Sequence, residues 1–247
     1  MLDAIHDIAS YLTTSPVQAS SGAFFSSEDA DSYYRPGDAE KREGAFYVWT
    51  MKEIHNVLGD KEGDIFARYF SAAENGNVAS ANDPHDDFIS QNVFAMSATS
   101  SDTFAREFGL TAAQLSDVIK NGKQKLRQHR NETRPRPALD DKIVAGWNGI
   151  AIGALARASI VLERTEPTAS RRYLNAAERA ARFIREKLYD KFAWVMKRIY
   201  REGPGDMPAF ADDYAYMIAG LLDLYEATFD DGWLKFADQL QREYRVL

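Results

Sequence analysis

The chain has 247 residues, of which 45% are hydrophobic and 27% charged, values of an ordinary globular protein that exclude wholesale disorder. Thirty Lys and Arg against 37 Asp and Glu give a net charge of −7. This argues against a nucleic-acid partner, because such proteins concentrate positive charge. The absence of cysteine excludes disulfides, thiolate metal sites and a cysteine nucleophile in this chain. No run approaches the roughly 18 apolar residues of a membrane span, and the N-terminus lacks a signal-peptide pattern, so we expect a cytoplasmic protein that binds no membrane.

The first part of the chain alternates a helix pattern with aromatic runs. Apolar residues at helical spacing predict a helix over 2–12. Two Gly-flanked aromatic runs predict short strands over 22–26 and 45–49. Thr50 and Glu53 then have the spacing of a capping box, which marks the start of the next helix.

Further helices follow in the middle of the chain. The capped helix is predicted over 51–70 with an interruption, and residues 73–91, rich in Asn, Asp, Gly and Ser, are predicted to form a loop. A second capping box, Thr111 with Gln114, predicts a long polar helix over 111–130.

The C-terminal half is dominated by the helical period. Residues 147–162 are apolar nearly all round, which is typical of a helix buried on most faces. Apolar residues recur at helical spacing over 170–188 and again over 210–244. Between them, 193–200 is predicted to form a short strand pair.

The last of these helices is predicted to break around Asp230, with Asp231 as the cap of its second part. The predicted strands are too short and scattered to form a central sheet. Helix pairs joined by loops predict an all-α fold, a toroid of helical hairpins with short β-hairpins, as one unit over residues 1–247. Because the chain stops at Val246 and Leu247 directly after a helix, we expect it to be incomplete.

Acidic residues occur in four clusters at the edges of apolar elements. The clusters are Glu28, Asp29 and Asp31; Asp86 and Asp87; Asp140 and Asp141; and Asp212 and Asp213. Carboxylates at helix N-termini around an aromatic cavity are typical of general acid–base chemistry on sugars. The alternative is helix capping, in which an Asp accepts a hydrogen bond from an unpaired N–H. A cap needs one carboxylate and the two later clusters each have two, which favours a functional role for the second Asp.

Metal and nucleotide chemistry find no support in the motifs. The Asp29-x-Asp31 spacing resembles a calcium loop, but Tyr34 stands where that loop needs a turn glycine. The four histidines are far apart and form no zinc-ligand pair. No GxGxxG, Walker or GxSxG sequence occurs. We therefore expect no cofactor and no metal.

Aromatic residues lie within a few positions of the acidic clusters. They are Phe24, Phe25, Phe46, Tyr47, Trp49, Trp147, Tyr214 and Tyr216. Core packing explains any one of them, whereas several beside carboxylates are also typical of a cleft in which sugar rings stack. Both interpretations remain open from the sequence.

Several ordered segments resemble the spermatogenesis-associated protein 20 family. They are GAFFSSEDADS, EGAFYVWTMKEI, ENGN with QNVF, RPRPALDDKIVAGWNGIAIGALARA, and FADDYAYMIAGLLDLYEAT. The resemblance implies an incomplete (α/α)6 toroid similar to six-hairpin glycosidases and N-acylglucosamine epimerases. It also implies that the N-terminal thioredoxin-like domain and the closing C-terminal hairpins are absent from this chain, with the thioredoxin-like domain as a partner in the full-length relative.

The resemblance also carries site positions onto this sequence. The matched motif positions are Glu28, Asp29, Asp31, Asp140, Asp141, Trp147, Asn148, Asp212, Asp213 and Tyr214. Because Asp29, Asp31, Asp140 and Asp213 each lie within a few residues of a buried element, we predict that they are the catalytic carboxylates. The predicted substrate-binding residues are Glu28, Trp147, Asn148, Asp212 and Tyr214. Asp141 departs from the family pattern, which favours Asp140 of that pair. We expect the four catalytic candidates to converge on one acidic, aromatic-walled cleft, in which crowding raises the pKa of one carboxyl.

Two functions from different classes follow. One is a carbohydrate-active enzyme, and the other is a non-catalytic sugar-binding or protein-interaction module that accompanies a thioredoxin-like domain. None of the four histidines lies in an acidic or aromatic motif, whereas epimerases of this fold use paired histidines as bases. An enzyme would therefore be glycoside hydrolase-like rather than epimerase-like, and the expected ligand is a carbohydrate.

Overall fold

The structure is a computed structural model that describes residues 2–14, 16–96 and 101–244. Its regular structure consists of helices and two-residue strands. In chain order the elements are α1 (Leu2–Leu12), β1 (Ser27–Glu28), β2 (Asp31–Ser32), β3 (Arg42–Glu43), α2 (Met51–Leu58), α3 (Asp60–Tyr69), α4 (Ser101–Glu107), α5 (Ala112–Thr133), β4 (Leu139–Asp140), β5 (Ile143–Val144), α6 (Ala145–Leu162), α7 (Pro167–Lys187), β6 (Tyr189–Asp190), β7 (Val195–Met196), β8 (Ile199–Tyr200), α8 (Ala211–Thr228) and α9 (Asp231–Tyr244). A short 3-10 turn covers Ser80–Asn82. The chain is thus mostly helical, as predicted.

The elements fall into two compact units. The first unit consists of Met1–Glu28 with Leu139–Leu247, and the second consists of Asp29–Ala138. The single toroid domain predicted over 1–247 stays a prediction. The chain was expected to be incomplete after residues 245–247, and these lie outside the described residues.

The first unit is built around α6. This helix packs against α7 and α8, and α8 in turn packs against α9. Short connections join α6 to α7 and α8 to α9, so each pair forms an antiparallel helical hairpin. The buried side chains between them form one continuous core that includes Ile152, Tyr173 and Leu221.

The apolar character of α6 comes from its position in this core. By length and composition α6 could cross a membrane, but more than half of its residues are buried inside the protein. A helix that is apolar on most faces needs such burial, since its surface would otherwise be exposed to water. Burial in the core of the first unit thus accounts for the apolar composition of α6.

The second unit packs α2, α3 and α5 around aromatic side chains. Trp49, Phe66 and Phe70 form one buried cluster with aliphatic residues of α2 and α5. A smaller cluster joins Phe104 of α4 to Leu115 of α5. The helix α4 was not predicted, because its sequence lacks a clear apolar period.

The helix predictions are confirmed, with shifts at the ends. Both capping boxes form: Thr50 with Glu53 before α2, and Thr111 with Gln114 before α5. The helix α7 begins at Pro167, three residues earlier than predicted, because proline suits the first helical position.

The break around Asp230 is confirmed, but its cap is a different residue. The helix α8 ends at Phe229 in a left-handed backbone conformation (φ 54°). The carboxylate of Asp230 accepts from the amide of Gly232 at 2.9 Å, so Asp230 caps α9. Asp231 instead lies in the first turn and pairs with Lys235 at 2.6 Å.

The strand predictions are wrong over 22–26 and 45–49. In the first range only Phe24 makes an isolated bridge, to Gln18, and the regular pairing begins at Ser27 opposite Asp140. The range 193–200 does contain two strands, β7 and β8. They pair with β6 and β5 respectively rather than with each other.

A buried arginine explains why 45–49 is not a strand. Gly44, with φ 65°, starts a turn that is closed by a hydrogen bond from the amide of Tyr47. The guanidinium of Arg134 donates to the backbone carbonyls of Ala45, Phe46 and Val48 at 2.6–3.2 Å. These are acceptors that a neighbouring strand would otherwise use.

Candidate functional site

The helices α6 and α8 run parallel and side by side. A Cβ on Gly146 would meet Asp213, one on Gly149 would meet the backbone of Tyr216 and Met217, and one on Gly153 would meet Gly220 and Asp223. The contact positions thus advance in the same direction along both helices. Glycines at these positions allow the backbones to touch, and the N-terminal ends of α6 and α8 lie together.

Asp213 joins these two helix ends. Its carboxylate accepts from the amide of Gly146 at 3.2 Å, from the amide of Phe210 at 3.0 Å and from the guanidinium of Arg198 at 3.1 Å. The residue is only 1% exposed. This predicted catalytic carboxylate therefore lies in a buried position where three donors already satisfy it.

Four partly exposed side chains surround the joined helix ends, and we call them the N-terminal surface: Trp147, Arg198, Phe210 and Asp212. The side chain of Asp212 is 56% exposed and lies 3.9 Å from Arg198. Arg198 also stacks over the ring of Phe210 at 4.5 Å. Trp147 follows Gly146 directly and is 51% exposed. The surface therefore combines one carboxylate, one guanidinium and two accessible rings.

Glu28 lies on β1 and Asp140 lies on β4, the strand that pairs with β1 in the same unit. The carboxylate of Asp140 forms an ion pair with Lys142 at 3.0 Å. Burial raises the pKa of Asp140, but hydrogen bonds from Lys142 and Ser26 outweigh it, so that the pKa lies below its ordinary value. Glu28 accepts a hydrogen bond from the hydroxyl of Tyr11 at 3.2 Å. Asp140 is thus an ionised carboxylate at neutral pH.

Asn148 and Tyr214, predicted to bind substrate, are buried. The side-chain amide of Asn148 accepts from the amide of Phe24 at 2.8 Å and donates to the carbonyls of Phe24 and Val144 at 3.0 Å. The hydroxyl of Tyr214 accepts from the amide of Met196 at 2.9 Å, and burial raises the pKa of Tyr214. Asn148 thus holds the segment around Phe24 against α6, and Tyr214 holds β7 against α8.

Asp29 and Asp31 belong to the second unit, where Asp29 is partly buried and Asp31 is exposed. Asp29 accepts from Lys41 at 3.0 Å and from the amide of Asp31 at 3.2 Å. The Lys41 ammonium and this amide hold the pKa of Asp29 below its ordinary value. The convergence of Asp29, Asp31, Asp140 and Asp213 stays a prediction, as does the raised pKa of one of them.

Sequence reasoning missed a second polar pair between α6 and α8. Asp223 forms an ion pair with Arg157 at 3.0 Å, and the Asp223 side chain is 20% exposed. Burial raises the pKa of Asp223, while Arg157 opposes that shift and Glu226 adds to it. The available signal was a lone aspartate inside the apolar run LLDLY. Arg198 gave no such signal, because only the tertiary structure brings it to Asp213.

A metal site was not expected, and the described ranges 2–14, 16–96 and 101–244 hold no group of three His, Asp or Glu side chains that could bind a metal ion. The carboxylates described above are held instead by arginine, lysine and backbone N–H groups.

The fold defines a mostly helical protein in which two helical hairpins present parallel helices, α6 and α8, with their N-terminal ends joined. No family model matches the chain. The solved structure of a D-mannose isomerase aligns with 98% of this chain and 50% of its own, at 12% identity and a TM-score of 0.34.

Curated sequence relatives match most of this chain. Human spermatogenesis-associated protein 20 is 35% identical over 238 residues, which is 90% of this chain and 29% of the relative. An uncharacterized protein of Caenorhabditis elegans is 35% identical over 96% of this chain and 33% of its own length. Mouse spermatogenesis-associated protein 20 is 32% identical over 97% of this chain and 31% of its own length.

These relatives confirm the resemblance of this chain to the spermatogenesis-associated protein 20 family that its motifs indicated. The chain spans about a third of the length of the curated relatives that it matches.

Proposed function

We propose that the first unit forms part of an (α/α)6 toroid. In such a toroid each hairpin contributes one inner helix, and the inner helices run parallel to each other. The parallel contact of α6 with α8 and the two hairpins that they begin support this arrangement. The partner helices α7 and α9 fit the outer positions, since each has one buried and one charged face.

The function proposed for this chain is carbohydrate binding at the N-terminal surface. The observation that carries it is the half-exposed Trp147 at the N-terminal end of α6, together with the Asp212 carboxylate and the Arg198 guanidinium at the adjoining end of α8. An accessible aromatic face stacks on the apolar face of a sugar ring, while carboxylate and guanidinium groups hydrogen-bond its hydroxyls. Asp213 takes the role of a positioning residue that holds Arg198.

The carboxylate positions favour binding over hydrolysis by these groups. Asp212 and Asp223 are separated by about 16 Å along α8, from the rise per residue of a helix. A glycosidase pair lies about 5–9.5 Å apart, so Asp212 and Asp223 are too distant to act together. The lowered pKa of Asp140 leaves that carboxylate ionised and unsuited to the general-acid role.

The test is sugar titration of the purified chain by calorimetry, with glucose, mannose and N-acetylglucosamine as probes. We expect millimolar to micromolar binding that Trp147→Ala weakens at least tenfold. Phe229→Ala is the matched control, because Phe229 is an exposed aromatic at the opposite end of α8. Equal binding by both variants, or no binding of any probe, would contradict the proposal.

A turnover assay with the same sugars and their glycosides distinguishes the two predicted classes. Binding without turnover supports a non-catalytic module that accompanies a thioredoxin-like domain in the longer relatives. Turnover that Asp212→Asn abolishes supports the hydrolase-like enzyme.

A further inference from the structure

The outer face of α7 carries a groove lined by basic side chains. Its volume is about 830 Å³, and it is open to solvent. The lining residues are Pro167, Thr168, Arg171, Arg172, Asn175, Arg179 and Arg182. From Pro167 to Arg182 the groove runs about 22 Å along the helix axis. It is thus an elongated surface on one helix, separate from the N-terminal surface of α6 and α8.

Three of the four arginines of this groove have no acidic partner among the described residues. In the part of the chain that the structure describes, no carboxylate forms an ion pair with Arg171, Arg172 or Arg179. Only Arg182 has one, Glu178, at 3.2 Å. Three uncompensated guanidinium groups on one face are unusual in a protein with a net charge of −7. Their mutual repulsion would be relieved by an anion bound in the groove.

Neutral side chains hold two of these guanidinium groups in place. Arg172 donates to the hydroxyl of Tyr173 at 3.1 Å and lies over its ring at 5.0 Å. Arg179 donates to the side-chain carbonyl of Gln18 at 3.2 Å. Such contacts restrict the guanidinium groups without neutralising them. Their planar N–H forks therefore stay available for carboxylates, which they bind in bidentate fashion.

We propose that the α7 groove binds an extended acidic peptide segment of a partner protein. An extended peptide advances about 3.3 Å per residue, so that six or seven residues match the groove. A small anion would engage only part of it. A nucleic acid is disfavoured by the negative charge of the whole chain. The acidic side chains would pair with Arg171, Arg172 and Arg179, and Asn175 would hydrogen-bond the peptide backbone.

The test is fluorescence anisotropy with labelled hexaglutamate and the 247-residue chain at low salt. We expect saturable binding that weakens as salt rises, whereas labelled hexalysine does not bind. Arg171→Glu with Arg179→Glu is expected to weaken hexaglutamate binding at least tenfold. The matched control is Lys235→Glu with Arg242→Glu, which makes the same charge change on α9 and is expected to alter binding less than twofold.

A second variant guards against misfolding. Arg171 has no described side-chain partner, so Arg171→Gln leaves the folded contacts intact and is expected to weaken binding about threefold. Equal losses in the α7 and α9 double variants would overturn the proposal, because net charge alone would then explain binding. Binding of tripolyphosphate but not of hexaglutamate would also overturn it, in favour of a small-anion site.

Discussion

Gly149 of α6 and Gly220 of α8 bring the two helix backbones into direct contact, since a Cβ on Gly220 would collide with the carbonyl oxygen of Gly149. A Cβ on Gly149 would in turn lie 2.6 Å from the amide nitrogen of Met217. This contact sets the spacing of the parallel pair and places the ends of α6 and α8 together. The proposed carbohydrate surface depends on that spacing.

Gly149→Ala is expected to lower the free energy of unfolding by about 2 kcal/mol. Overpacking against the backbone costs about 1–3 kcal/mol, and the better helix propensity of alanine offsets up to about 1 kcal/mol. Urea denaturation followed by circular dichroism measures the change. Gly203→Ala is the control, because no atom lies within 4 Å of the added Cβ. Equal stability of the two variants would contradict the close contact.

Arg134→Ala is expected to destabilise the second unit by about 3–5 kcal/mol, because each buried acceptor left without a donor costs about 1–3 kcal/mol. The change leaves three backbone carbonyls without their donor and removes the guanidinium that pairs with Glu53 at 3.0 Å. Thermal and urea unfolding measure the loss. Arg68→Ala removes an exposed ion pair with Glu107 and should cost at most about 1 kcal/mol. A loss of that size at Arg134 would show that its hydrogen bonds contribute little.

Asp213 and Asp212 are expected to separate stability from ligand binding. Asp213→Ala removes three hydrogen bonds from a buried site and should cost about 3–5 kcal/mol, since it leaves Arg198 without its buried partner. Asp212→Ala should change the free energy of unfolding by less than about 1 kcal/mol, because its side chain is exposed. The same variant should weaken sugar binding in the calorimetric titration. If instead Asp213→Ala folds normally and only binding is lost, Asp213 contacts the ligand.

The pH dependence of stability should include a contribution from Glu243. Burial raises the pKa of Glu243, despite hydrogen bonds from Tyr189 and Gln239 that lower it. Between the unfolded value of about 4.5 and the higher folded value, the folded chain binds more protons than the unfolded chain. The stabilisation from this group is therefore complete below the unfolded pKa and is lost as the pH rises through the folded pKa.

Glu243→Gln is the variant that tests this contribution. An amide does not titrate and still accepts from Tyr189, so the variant should unfold at higher urea than the parent at pH 7 and show a flatter profile from pH 4 to 7. Asp238→Asn on the same helix is the control, since Asp238 is exposed and paired with Arg242 at 2.7 Å. Parallel profiles for the parent and Glu243→Gln would rule out the raised pKa.

The site and the strands were only partly predictable from the sequence, because both depend on contacts between residues far apart in the chain. Trp147 and Asp212 were named from their places beside apolar runs, and the structure places both at joined helix ends. The sequence did not indicate that the Asp213 carboxylate accepts hydrogen bonds from Arg198 and from the amide of Gly146, because Gly146 is 67 residues away in the chain. The aromatic run at 45–49 has strand propensity, yet Arg134, more than 80 residues later, donates hydrogen bonds to its backbone carbonyls.

The sequence alone determined the helices other than α4, because their signals are local. The pairs Thr50 with Glu53 and Thr111 with Gln114 lie within one turn, so each helix start depends on four residues. The tertiary structure decided which polar side chains support the fold and which face solvent. Asn148 reaches Phe24 across 124 residues, and only the packed hairpins bring them together. A buried polar group must find a partner wherever the fold supplies one, and that partner has no fixed distance along the chain.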